Sequence, residues 1–186
     1  MTVELMWLWI LLGYVAVSSV LYFICRMKCK KDPIFKAPKS RAVYYILSFT
    51  WGLPTVLVGA VAALFIRLMG YRPRRYGWEW CFEIPGISWG MELGLFFISP
   101  AGDFDSIKMH EQGHGIQNIY LGVFYPTVVL IPSAVRFWYR FIRKKIGKPC
   151  RTAYSDIWFE ASADKSGKTF IDICRKTLDS GNIDDL

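Results

Sequence analysis

The sequence predicts a mainly α-helical membrane protein: two N-terminal transmembrane helices, then a small α+β domain with a short β-sheet and a bent apolar insertion. Three observations predict it. Of the 186 residues 53% are apolar and 17% aromatic, more than a soluble domain normally carries. Two long apolar segments fill most of the first 70 positions. Between Tyr71 and Ser99 the texture changes to Gly, Pro, Trp and short apolar runs, which reads as strands and turns. A chain of this length holds one compact domain, or a few membrane helices and a minimal domain, so it carries at most one catalytic unit.

Leu5 to Ile24 is almost wholly apolar and matches the roughly 20 residues a helix needs to cross a bilayer, giving a first span at about 5–25. Positive charge follows this run and does not precede it, so a retained anchor is expected over a cleaved signal peptide. The basic stretch 26–42 contains Pro33 and Pro38 and reads as an irregular connection. The second segment, 43–69, carries Trp51, Gly52 and Pro54 and is expected to be a kinked span, with a bent re-entrant element as the competing reading. Residues 1–70 thus form a membrane anchor and 71–186 a domain.

Within the domain, Trp80 to Ile84 and Ile87 to Ile98 are expected as two strands joined by Pro85-Gly86. Asp103 is placed to cap a helix running through Lys108, His110, Glu111 and His114 to about Tyr120, with a polar face too rich for lipid. Leu121 to Val135 is apolar and broken by Pro126 and Pro132. Ser155 to Gly167 reads as a short helix with Ser155 as cap and Gly167 as stop, and the acidic tail beyond Asp179 is expected to fray.

The net charge of +8 gathers beside apolar runs, at Arg26 to Arg41, Arg67 to Arg75 and Arg136 to Arg151. That placement marks cytoplasmic loops or contact with anionic head groups, so membrane lipids are the expected partner. No nucleic-acid recognition motif accompanies the charge, and nucleic acid is not expected. Five cysteines without regular spacing do not form a disulfide framework; Cys25 and Cys29 read as reduced thiols at a membrane boundary. The loop after the first span is basic, which predicts an outside N-terminus and an inside loop; two complete spans would then leave the domain outside.

The chemistry concentrates in His110-Glu111-Gln112-Gly113-His114. Residues four apart stack on one helix face, so the two imidazoles can share a tetrahedral Zn2+, and Glu111 beside them can take a proton from an activated water. Both histidines of the chain belong to this motif. A metzincin pattern would need Gly at 117 and His at 120, where this chain has Gln117 and Tyr120. No Asp or Glu occurs between Glu111 and Asp156, which disfavours a ligand inside a later apolar segment. Asp156, Glu160 and Asp164 follow at spacings of four, on one face of a helix. In Glu160-x-x-x-Asp164 the glutamate is placed to bind zinc and the aspartate to accept a hydrogen bond from a ligating imidazole, while Asp156 reads as a surface or entrance residue. A zinc shared by the histidines and Glu160 requires both ends of 121–135 on one side of the bilayer, hence a re-entrant or packed insertion.

His110-Glu111-x-x-His114 followed by Glu160-x-x-Ala163-Asp164-x-x-Gly167 resembles the gluzincin membrane peptidases of the HtpX heat-shock and CAAX-prenyl endopeptidase type. The resemblance implies a zincin-like catalytic domain, a zinc endopeptidase acting on membrane or membrane-proximal proteins, a cytoplasmic site and a multi-pass place in a bacterial plasma membrane. His110, His114 and Glu160 would be ligands and Glu111 the base. This chain is shorter, has one bent apolar stretch where two spans would be expected, and loosens the motif helix with Gly113 and Gly115. For substrate, Gly90, Met91, Glu92, Leu93 and Gly94 form a candidate edge strand for main-chain pairing. Tyr154 is the first candidate oxyanion donor, with Tyr120 and Asn118 behind it. A catalytically idle zinc-binding scaffold or sensor, and a small membrane-interaction protein, remain the alternatives to an active endopeptidase.

Overall fold

Leucine, valine, isoleucine and tryptophan dominate the first element, and the computed structural model, which describes residues 3–28, 35–38 and 40–179, forms them into α1 (Val3–Lys28). This helix of 26 residues buries only Ser18 and Cys25 and is long and apolar enough to cross a membrane. Residues 29–34, Cys29 among them, Lys39 and the acidic tail after Asp179 lie outside the described residues.

The second apolar segment is not one continuous helix. It breaks into α2 (Arg41–Phe49), capped by Ser40, and α3 (Leu53–Leu68), with a bend of 91° between them. Gly52 and Pro54 explain the break, because Pro fits the first turn of a new helix and not the interior of an old one. At 16 residues α3 spans about 24 Å, short of the roughly 30 Å hydrocarbon core. The segment therefore has the geometry of a broken span or a re-entrant loop, and among the described residues α1 is the single helix long and apolar enough to cross alone.

The sheet is larger than the expected pair of strands. β1 (Arg74–Tyr76), β2 (Glu79–Ile84), β3 (Met91–Leu93) and β4 (Phe96–Pro100) lie in the order β1-β2-β4-β3. The run Ile87 to Ile98 divides because Gly94, at φ 81°, turns the chain back between Leu93 and Phe96. Pro85-Gly86 does not close a hairpin, since β2 pairs in parallel with β4 and β3 takes the edge.

α4 (Asp105–Leu121) follows; Phe104 stands at its cap position without a side-chain bond, so Asp103 does not cap it. The chain then turns through a 3-10 turn (Gly122–Phe124) and a π turn (Pro126–Leu130) into α5 (Ile131–Lys145). The arm Asp105–Phe124 is bent by 117° from Pro126–Lys145, as a re-entrant or packed insertion requires. A 3-10 turn (Tyr154–Asp156) leads to α6 (Trp158–Asp179). Ser155 is not the cap, and Gly167 does not stop the helix: burial of Phe170, Ile171 and Cys174 carries it onward.

Gly167 serves packing instead. A Cβ there would fall 1.8 Å from the Met109 carbonyl oxygen, and a Cβ at Gly113 would fall 2.0 Å from that of Ala163. The backbones of α4 and α6 touch at these two positions, and Ile116, Phe159 and Phe170 fill the core around them. Because the obstructing atoms are backbone on both sides, Gly167→Ala is expected to lower the stability of the detergent-solubilised protein by about 1–3 kcal/mol, read as a drop in thermal midpoint. A midpoint equal to wild type would show that the helices can part without cost.

Candidate metal centre

Helix α4 supplies two imidazoles on one face and α6 supplies the carboxylate that meets them. His110 Nε2 lies 3.1 Å from His114 Nε2, and Glu160 Oε2 lies 3.0 Å from the first and 3.3 Å from the second. Zinc–ligand bonds of about 2.0–2.1 Å at tetrahedral angles put donor atoms roughly 3.4 Å apart, so the three atoms stand close to that spacing. The cluster can hold a metal ion.

The surroundings prepare the donors for a cation. His110 Nδ1 is 2.6 Å from Asp164 Oδ1, which can only accept, so the imidazole proton sits on Nδ1 and the Nε2 lone pair faces the centre. Gln117 does the same for His114: its amide nitrogen donates to the Phe159 carbonyl, leaving Oε1 to accept from His114 Nδ1 at 2.8 Å. Ser133 Oγ, from α5, donates to Glu160 Oε1 at 2.6 Å and leaves the buried Oε2 to face the two imidazoles. With no metal, a proton answers the same demand. Burial alone would push the His110 imidazole down, but its hydrogen bonds to Asp164 and Glu160 outweigh this and raise it to about 10. Burial likewise pushes Glu160 up, and the two imidazoles override it and hold the carboxyl well below the usual range.

Glu111 points into the cleft beside the histidines and is buried, which raises its carboxyl above the ordinary value. Gly90 lies directly over it; a Cβ there would come within 2.4 Å of Glu111 Oε1. A cleft of about 610 Å³ opens here, walled by Trp89, Gly90 and Met91 on one side and by Ala134, Phe137 and Trp138 of α5 on the other. Of the expected edge strand, Gly90, Met91 and Glu92 line the cleft, whereas Leu93 and Gly94 pack against Gly59 and Val56 of α3. Tyr154 also lines it, 3.2 Å from Ser133 Oγ, and burial beside Glu160 raises its hydroxyl so that it stays protonated. Tyr120 and Asn118 are elsewhere: Tyr120 donates to the Lys36 carbonyl, and Asn118 lies against Gly52. Asp156 is exposed and accepts from the Ala153 backbone at 2.6 Å.

Sequence reasoning missed Ser133 and Gln117. Gln117 had a signal, since three residues after His114 puts it on the same face of the helix. Also missed was Glu79, a buried carboxyl behind Glu111 that accepts from the Tyr44 hydroxyl; Glu92, expected only as part of the substrate edge, is a second buried carboxyl there. Burial raises both well above the ordinary range, and the charge of Glu92 adds to the effect on Glu79.

Two outcomes follow from these contacts. Ser133→Ala frees Glu160 Oε1 and is expected to weaken zinc binding about 10–100-fold, measured by competition with a chelating dye; unchanged affinity would leave Ser133 no orienting role. The folded state keeps protons on Glu79 and Glu92 that the unfolded chain releases near pH 4.5. Their contribution is therefore present below that pH and lost as pH rises toward the folded values, and thermal stability falls in that window. Glu92→Gln should flatten the decline; an identical slope in both proteins would contradict it. Compared with known proteins, the sequence matches no family model, no curated protein and no solved structure, so the chemistry of the centre stands on its own geometry.

Proposed function

We propose that this chain is a zinc-dependent endopeptidase of the membrane, cleaving membrane or membrane-proximal polypeptides. The observation that carries the reading is the convergence of His110, His114 and Glu160 from two helices, with Glu111 beside them in an open cleft. An imidazole pair and a carboxylate match the donor set of catalytic zinc sites with three protein ligands, which leave a coordination position for water or substrate. A zinc ion held there supplies Lewis-acid activation of a water and of the scissile carbonyl.

The chain's own groups do the rest. Glu111 takes a proton at its carboxylate from the attacking water and passes it to the leaving amine, a task suited to a carboxyl raised toward neutrality by burial. Tyr154, a protonated donor at the cleft wall, is placed to hydrogen-bond the developing oxyanion. An extended peptide fits along the edge at Gly90 to Glu92, where main-chain pairing places its carbonyl over Glu111 without reference to side-chain sequence.

The site lies on the side of the bilayer that receives the C-terminal end of α1. Ser166 donates to the Phe35 carbonyl at 2.8 Å and Tyr120 to that of Lys36 at 3.0 Å, so the basic connection that follows α1 rests on the domain. The charge rule assigns that side to the cytoplasm.

Purified in detergent, the wild-type protein should hold one zinc and cleave an unfolded or membrane-protein substrate. Glu111→Gln should keep the zinc and lose cleavage by several orders of magnitude, and His114→Ala should lose both. Cleavage that survives Glu111→Gln would sink the peptidase reading, and zinc without turnover in the wild type would favour the idle scaffold.

A further inference from the structure

Helix α5 carries its polarity the wrong way round for a helix on a water-exposed domain. Ile131, Val135, Trp138 and Ile142 follow at spacings of four, three and four, which places them on one face. All four point outward, with exposures of 55%, 62%, 58% and 54%. The opposite face turns inward and is polar: Ser133 bonds Glu160, Arg136 bonds the carbonyls of Ala153 and Tyr154, and Arg140 bonds that of Thr152. An outward apolar seam on an inward polar face fits an apolar surrounding.

Depth is set by the turn that precedes α5. Tyr14 donates to the Val123 carbonyl at 2.7 Å and stacks on Phe124, and Thr127 bonds Ser18 at 3.0 Å. Tyr14 and Ser18 lie near the middle of Val3–Lys28, which is the bilayer midplane when α1 crosses. From there α5 extends about 22 Å over its 15 residues, farther than the roughly 15 Å from midplane to head groups, so a tilt of up to about 45° from the bilayer normal still brings its far end out. The emerging end is basic. From Ile131 to Arg151 the chain has seven Lys and Arg and no acid. Lys144, Lys145 and Lys148 are exposed, and no ion pair among the described residues involves them.

We infer that α5 is a lipid-facing limb running from the bilayer core to an anionic head-group layer. Ile131, Val135, Trp138 and Ile142 contact acyl chains, and Lys144, Lys145 and Lys148 lie among the lipid phosphates. Because Ala134, Phe137 and Trp138 also wall the cleft, the metal centre opens toward the bilayer surface. This placement holds whether or not the centre cleaves peptides.

The test places spin labels on the full-length chain in nanodiscs of phosphatidylcholine, with or without phosphatidylglycerol, through single cysteines at Val135, Trp138, Ile142 or Lys144 in a background lacking native cysteines. Labels at 135, 138 and 142 should collide several-fold more with oxygen than with a water-soluble nickel chelate, the excess declining from 135 to 142, and the label at 144 should show the reverse. Replacing Lys144, Lys145 and Lys148 by Gln should shift the label at 142 toward water in discs containing phosphatidylglycerol and leave it unmoved in phosphatidylcholine alone. Nickel prevailing at 138 and 142, spin–spin broadening from a second copy seated on the seam, or an equal effect of the Gln variant in both discs would overturn the assignment. For a chain with all its native cysteines, brominated lipid should quench wild-type emission more than that of Trp138→Phe; equal quenching would overturn it as well. None of these readouts depends on zinc or on turnover, so a failed peptidase assay leaves them intact.

Discussion

The backbone contact between α4 and α6 fixes the distance on which the metal centre depends. Two imidazoles four residues apart are set by one helix, but the third donor arrives from a helix some fifty positions later. It meets them only if the two axes approach closely. Gly113 and Gly167 permit this, one on each helix, each facing a carbonyl of the other. Gly115 repeats the device toward the sheet, where a Cβ would fall 1.8 Å from Glu79 Oε1. Glycines that would weaken an isolated helix here cost less than the side chains they exclude.

Around that contact the polar groups form a chain of orientation. Asp164 and Gln117 settle the tautomers of the two histidines, and Ser133 settles which oxygen of Glu160 faces them. Each of these partners comes from a different part of the fold: Asp164 from α6, Gln117 from the motif helix itself, Ser133 from the far limb of the apolar insertion. A change in the pose of α5 thereby reaches Glu160 through one hydrogen bond. Glu111 depends less on hydrogen bonds than on burial, since Gly90 closes over it and further buried carboxyls stand behind.

How much of this was legible in the sequence follows the range of the interactions. The histidine pair, Glu111, and the Glu160–Asp164 spacing are local helix geometry, and the expected residues do converge. The apolar run of α1 is a matter of composition and length, and it was equally plain. The strand order was hidden, because the parallel pairing of Trp80 with Phe96 is non-local and looks in sequence like a simple Pro-Gly hairpin. Gly167 misled for a related reason: local rules read a glycine after a helical pattern as a stop, whereas contact with Met109 makes it an interior residue. Ser133 is a small polar residue in an apolar run, and only the fold back onto Glu160 gives it meaning.

The bends and the contacts of the basic connection bear on what the charge pattern leaves in conflict. Two complete spans before the domain would separate it from the basic connection by a full bilayer, yet Phe35 and Lys36 touch Ser166 and Tyr120 directly. The chain leaves α1, rests on the domain, and reaches the sheet through the bent pair α2 and α3. The bend between α2 and α3 meets the bend between α4 and α5: Trp51 packs on Gly122 and against Phe124, which in turn stacks on Tyr14 of α1. Two elbows thus meet beside the middle of α1, the one helix among the described residues long and apolar enough to cross alone. That arrangement keeps the histidines of α4 and the carboxylate of α6 together.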